Sequence, residues 1–130
     1  MNSTANIARH PTKYLIVDDH AAFRRTIRAF LPAGVVVECA DGDAVLDCYA
    51  AEQPDWVLMD IEMCGVDGLK ATRLLKEHYP AARVIVVSNH HEEEFRSAAL
   101  ELGTYGFVHK EHLEELSPLI IANTHESHHE

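Results

Sequence analysis

Four consecutive apolar residues, Trp56-Val57-Leu58-Met59, run directly into Asp60 and then into the stretch Ile61-Glu62-Met63-Cys64-Gly65-Val66-Asp67-Gly68. An apolar run this short, bounded by turn signals, reads as a strand buried on both faces. Asp60 stands where that strand stops. Open parallel α/β sheets bind ligands at the carboxyl ends of their strands, so Asp60 is a candidate for chemistry if the rest of the chain supplies such a sheet.

The rest of the chain does alternate in the required way. Tyr14-Leu15-Ile16-Val17 reads as a first strand, followed by Asp18-Asp19. Phe23, Ile27, Phe30 and Leu31 then mark one face of a helix, which Pro32 and Gly34 terminate. Val35-Val36-Val37 is a second β-branched run, and Asp41-Gly42-Asp43 a turn or helix start before the helical face of Val45, Leu46 and Tyr49. Gln53-Pro54-Asp55 breaks that helix ahead of the Trp56 strand. Leu69, Thr72, Leu75 and Tyr79 mark a third helix, and Val84-Ile85-Val86-Val87 a fourth buried strand leading to Ser88-Asn89. Phe95, Ala99 and Leu102 mark the next helix, Tyr105 to Val108 a fifth strand leading to His109-Lys110. Leu113, Leu116 and Ile120 mark the last helix, with Ser117-Pro118 as a soft spot inside it. Five strands alternating with five helices imply a parallel sheet covered on both faces. Residues 1–12 and 123–130 read as polar tails around a domain at 13–122.

Composition narrows the function classes. In 130 residues, 11 basic and 21 acidic side chains give a net charge of −10 with His neutral. That argues against nucleic-acid binding by this domain alone, since phosphate contacts need a basic surface. No apolar run approaches the ~18 residues that span a bilayer, so no membrane association is expected. The three cysteines form no CxxC pair and suggest neither a disulfide framework nor zinc, which fits a reducing cytoplasm. The pairs His90-His91 and His128-His129 read as solvated surface groups.

On this topology Asp18, Asp19, Asp60, Ser88 and Lys110 all leave the same edge of the sheet. Three carboxylates packed together repel one another unless a cation neutralises them. Oxygen ligands suit Mg²⁺. A carboxylate can itself be a nucleophile that forms an acyl phosphate. Phosphoryl transfer asks mainly for positioning and charge neutralisation, which Mg²⁺ and the Lys110 ammonium supply. Taken singly, Asp18-Asp19 read as a helix cap and its neighbour, and Asp60 as a turn acid. The joint placement favours a phosphorylatable site.

With these residues placed, the chain resembles the receiver domain of two-component response regulators over roughly Lys13 to Ile121. The resemblance rests on Asp18-Asp19, on Asp60-Ile61-Glu62-Met63-x-Gly65-x-Asp67-Gly68, on Ser88 and Lys110, and on Phe107 three residues before the lysine. Val17-Asp18-Asp19-His20 with Phe23-Arg24, and Gly103 to Glu111, look like the subfamily usually fused to a helix-turn-helix DNA-binding domain. The resemblance implies a flavodoxin-like (βα)5 fold with strand order 2-1-3-4-5, and a signalling role limited to the domain's own phosphoryl transfer and dephosphorylation. It implies that Asp60 takes phosphate from a histidine kinase or histidine phosphotransfer domain. Asp18, Asp19, Asp60 and the Glu62 backbone carbonyl would hold Mg²⁺. Ser88 and Phe107 would switch. A downstream protein or output domain would read the surface of the fourth helix, fifth strand and fifth helix, and a homodimer formed on phosphorylation stays open. Cys64 stands where the family usually has Pro, and Asn89 where it usually has Ala or Gly. Glu62 and His90 occupy positions that tune dephosphorylation in the family. The rival readings are a pseudo-receiver acting as a constitutive interaction domain, a small phosphate-ester hydrolase, and an electron carrier. The last lacks a phosphate loop after the first strand.

Overall fold

The computed structural model describes residues 11–62 and 67–124. Five parallel strands form one sheet, β1 (Lys13–Val17), β2 (Val35–Cys39), β3 (Trp56–Asp60), β4 (Val84–Ser88) and β5 (Gly106–His109), in the order β2-β1-β3-β4-β5. Among the described residues, five α-helices connect and follow them: α1 (Ala21–Ala29), α2 (Val45–Glu52), α3 (Gly68–His78), α4 (Glu93–Glu101) and α5 (Leu116–Thr124). This is the expected flavodoxin-like arrangement.

Strand side chains alternate between two cores, as a period of two requires. Leu15, Val17, Val57, Met59, Val84, Val86 and Phe107 face Val45 of α2, Ala71 and Leu75 of α3, and Ala99 of α4. Tyr14, Ile16, Trp56, Leu58, Ile85, Val87 and Val108 face Ile27 of α1 and Leu116 and Ile120 of α5. β3 and β4 are buried at every residue, so an alternating polar pattern would leave unpaired polar groups inside. Each large side chain sealed in these layers contributes roughly 1.5–3 kcal/mol.

Several boundaries differ from the sequence expectation. α1 ends at Ala29, so Phe30 lies at its C-cap and is 41% exposed instead of completing the apolar face. β5 begins at Gly106. Tyr105 sits outside it and meets the Trp56 ring edge-on, with centroids 5.2 Å apart. Leu113 belongs not to the last helix but to a 3-10 segment, Lys110–Glu115, which His112 kinks with non-helical angles. The i, i+3 spacing of Leu113 and Leu116 suits a 3-10 turn as well as an α-helix. α5 therefore starts at Leu116, and Ser117-Pro118 lie in its first turn, where a missing N–H costs nothing. Asp41-Gly42-Asp43 is a helix start: the Asp41 carboxylate accepts the Asp43 amide at 2.9 Å, opening a 3-10 turn at Gly42–Ala44. Glu93 and Glu94 fill the first turn of α4, as the helix dipole favours. The expectations for Cys64, Gly65, His128, His129 and most of both tails lie outside the described residues.

Candidate functional site

Strand register assembles the site. Val17 pairs with Met59, so Asp18 leaves the sheet beside Asp60. Asp60 pairs with Val87 and Ser88 with His109, which sets Ser88 and then Lys110 one step further along the same edge. Alternation carries Asp18, Asp60 and Lys110 to the side of α1 and α5, and Ser88 and His109 to the side of α4.

Asp60 is 1% exposed. Its Oδ1 accepts the Glu62 amide at 3.1 Å and lies 3.4 Å from Lys110 Nζ. The same ammonium is 3.6 Å from Asp18 Oδ2. Burial pushes the Asp60 carboxyl up to about 6, against the Glu62 amide and Lys110, which pull it down, while the Asp18 charge adds to the rise. Asp18 is fully buried and its Oδ1 accepts the His20 amide at 2.8 Å. Asp19 Oδ1 meets the exposed His20 ring at 2.9 Å, which places His20 at the rim. Ser88 is fully buried, and its Oγ accepts the His90 amide at 2.8 Å. Glu62 turns its carboxylate to His90 Nε2 at 2.7 Å, while His90 stacks on Phe95 with centroids 4.1 Å apart. Phe107 is buried among the α4-side core, with the Arg96 guanidinium 5.2 Å from its ring centre. Asn89 is exposed.

The acids fit a hard divalent cation. Asp18, Asp19, His20 and Asp60 each bring a ligand atom within 4.8 Å of the others. Asp18 Oδ2 and Asp60 Oδ2 are buried and take no hydrogen bond, the situation that a bound cation relieves. The site could therefore hold a metal ion.

Three residues quoted from the sequence without a role at the site contribute to it. Phe23, counted as core on α1, lies under the lysine, with Lys110 Nζ 4.1 Å from its ring centre. Its place in the first turn of a helix that starts just after the acid pair was the available signal. Arg24 donates to the Asp18 carbonyl oxygen at 2.6 Å and to Glu38 at 2.7 Å, tying the acid loop to β2. Gly68 presses its backbone on the end of β3: a Cβ there would overlap the Asp60 carbonyl oxygen and lie 2.5 Å from Ile61 Cα.

Comparison with known proteins agrees with this geometry. The response regulator receiver domain model matches residues 14–120. The chain is 34% identical over 115 residues to the transcriptional regulatory protein DegU of Brevibacillus brevis, covering 85% of this chain and 48% of that protein. It is 35% identical over 102 residues to protein CcdB of Bacillus subtilis, covering 76% of this chain and 85% of that protein. Among solved structures it superposes on a LuxR-family two-component response regulator from Aurantimonas sp. SI85-9A1 with a TM-score of 0.78. That match has 31% identity and covers 89% of this chain and 86% of that one. The chain belongs to the response regulator receiver domain family of two-component systems. It spans about half the length of DegU and of the activator ExaE of Pseudomonas putida, 48% and 47% respectively.

Proposed function

We propose that residues 13–122 are a phosphoacceptor module in which Asp60 takes a phosphoryl group from a phosphohistidine. Family membership implies a histidine kinase partner; the immediate donor is that kinase or a histidine phosphotransfer domain. One observation carries the reading. Asp60 is a buried carboxylate with one oxygen unbonded and the other 3.4 Å from a lysine. In the transfer, an Asp60 oxygen bonds to phosphorus as the P–N bond of the donor breaks, and the donor imidazole regains its electron pair. A carboxyl held at about 6 is ionised at neutral pH and so remains a nucleophile.

Asp18, Asp19, Asp60 and the Glu62 backbone carbonyl would hold Mg²⁺, which supplies neutralisation of phosphoryl charge. The Lys110 ammonium moves from Asp60 to the phosphoryl group. The Ser88 hydroxyl donates to a phosphoryl oxygen, and Phe107 packs behind it. The surface of α4, β5 and α5, where Leu100, Tyr105 and Ile121 are exposed, then presents a changed face to a downstream protein or output domain. Glu62 and His90, already paired across the mouth, set the phosphoryl lifetime by contacting or blocking the attacking water. Unchanged lifetimes in Glu62→Ala and His90→Ala would remove that last role.

The test is incubation with a small-molecule phosphodonor, with and without Mg²⁺, followed by intact mass. One phosphoryl adduct that requires Mg²⁺ and is absent from Asp60→Asn is expected. No adduct on the wild-type protein would leave a constitutive interaction domain as the better reading.

A further inference from the structure

One side chain joins the loop after β4 to the turn after β5. His109 ends β5, is 9% exposed, and lies opposite Ser88 in the sheet. Its Nε2 is 2.8 Å from the backbone carbonyl oxygen of Asn89, the residue after Ser88. Its Nδ1 accepts the amide of Glu111, the residue after Lys110, at 3.0 Å. A carbonyl oxygen only accepts and an amide N–H only donates. The two contacts therefore define a neutral ring with its hydrogen on Nε2. An imidazole thus caps the turn that Lys110 opens, where Ser, Thr, Asp or Asn is the usual cap.

His91, on the same loop as Asn89, stacks on this ring with centroids 3.8 Å apart and planes at 24°. His91, His109 and Glu111 bring ligand atoms within 4.8 Å. Stacked imidazoles direct their in-plane lone pairs side by side, not at one point, and both nitrogens of His109 are already engaged. The cluster is a packed latch between two loops.

We propose that His109 is a positioning residue that ties the loop bearing Ser88 to the turn bearing Lys110, so that hydroxyl and ammonium are set together over the acceptor carboxylate. The inference rests on the phosphoacceptor reading of Asp60. With the tie cut, Lys110 keeps its charge and its partners Asp60 and Asp18, and Ser88 keeps its bond to the His90 amide. What is lost is their relative placement, on which phosphoryl transfer depends.

The test compares the full chain with His109→Leu and His109→Asn, reading the rate of adduct formation with a small-molecule phosphodonor and Mg²⁺, and the hydrogen exchange of the Glu111 amide. His109→Leu removes both contacts; the Glu111 amide should lose protection and the rate should fall about tenfold. Asn can still cap the turn but cannot also reach Asn89. It should therefore protect the Glu111 amide while the rate stays several-fold low. A merely structural cap would instead be rescued fully. Wild-type rates in either variant would overturn the proposal, and His109→Asn decides it even if His109→Leu does not fold. No adduct on the wild-type chain would overturn the phosphoacceptor reading and this inference with it, whereas an adduct forming at equal rates on all three overturns this inference alone.

Discussion

Replacing Asp60 by Asn should stabilise the metal-free protein. Asn reproduces the shape of the neutral carboxyl and still offers an oxygen to the Glu62 amide, now 3.1 Å from Asp60 Oδ1. What it removes is a buried charge. Burial first, and then the Asp18 charge, push the Asp60 carboxyl from 3.8 to about 6 despite Lys110. At 1% exposure no solvent screening discounts that penalty, and the displacement corresponds to about 2–3 kcal/mol against the ionised form. The sign follows from linkage. Between about pH 4 and 6 the folded chain binds more protons at this site than the unfolded one. Wild-type stability therefore falls as pH rises through that window. The advantage of Asp60→Asn should be absent near pH 3.5, grow to about pH 6, and stay level above it. Urea unfolding in a chelator at several pH values measures it; with m near ~1–3 kcal/mol/M, the midpoint at pH 7 should rise by roughly 1–2 M. Saturating Mg²⁺ should narrow the gap by stabilising the wild type more. A variant equal to or weaker than wild type at pH 7, or a difference that does not vary between pH 4 and 6, would refute the electrostatic reasoning.

Other outcomes follow from the same contacts. Gly68→Ala places a methyl group against the Asp60 carbonyl oxygen and Ile61 Cα, and should cost about 1–3 kcal/mol of thermal stability through overpacking. A double-mutant cycle of Phe23→Leu with Lys110→Met should give a coupling of about 1 kcal/mol in urea unfolding, since the ammonium lies 4.1 Å from the ring centre; additive effects would dismiss the cation–π contact. Glu38 is held below the ordinary carboxylate range by hydrogen bonds from Arg24 and then Arg28. Its exposed pairs should add only a few tenths of a kcal/mol, present above the unfolded carboxylate range and lost as pH falls through the lower folded value. Glu38→Gln measured by urea unfolding at pH 7 should show that small loss, and a loss above ~2 kcal/mol would contradict it.

Much of the fold was legible because β3 and β4 are buried at every residue, and short runs of four apolar residues alternating with helical faces fit strands covered on both sides. The carboxylates were legible because each follows such a strand. Helix ends were not. Pro32 bounds α1, but the chain leaves the helix at Phe30, whose exposure no local periodicity reveals. The 3-10 turn at Lys110–Glu115 hid behind a spacing that both helix types share. Within the site, the roles of Phe23 and His109 were hidden for a different reason. An aromatic on an apolar face and a histidine at a strand end gain their roles only from what the fold brings to them, Lys110 in one case and the Asn89 carbonyl and Glu111 amide in the other.

The most direct measurement is chemical mapping of the acceptor. Protein treated with a small-molecule phosphodonor and Mg²⁺ is reduced with borohydride, which converts an aspartyl phosphate to homoserine, and is then digested and sequenced by mass spectrometry. Homoserine at position 60, and only where Mg²⁺ was present, is the expected result. Homoserine at Asp18 or Asp19 instead, or no homoserine under conditions that label another receiver domain in parallel, would contradict the assignment of Asp60 as the phosphoacceptor.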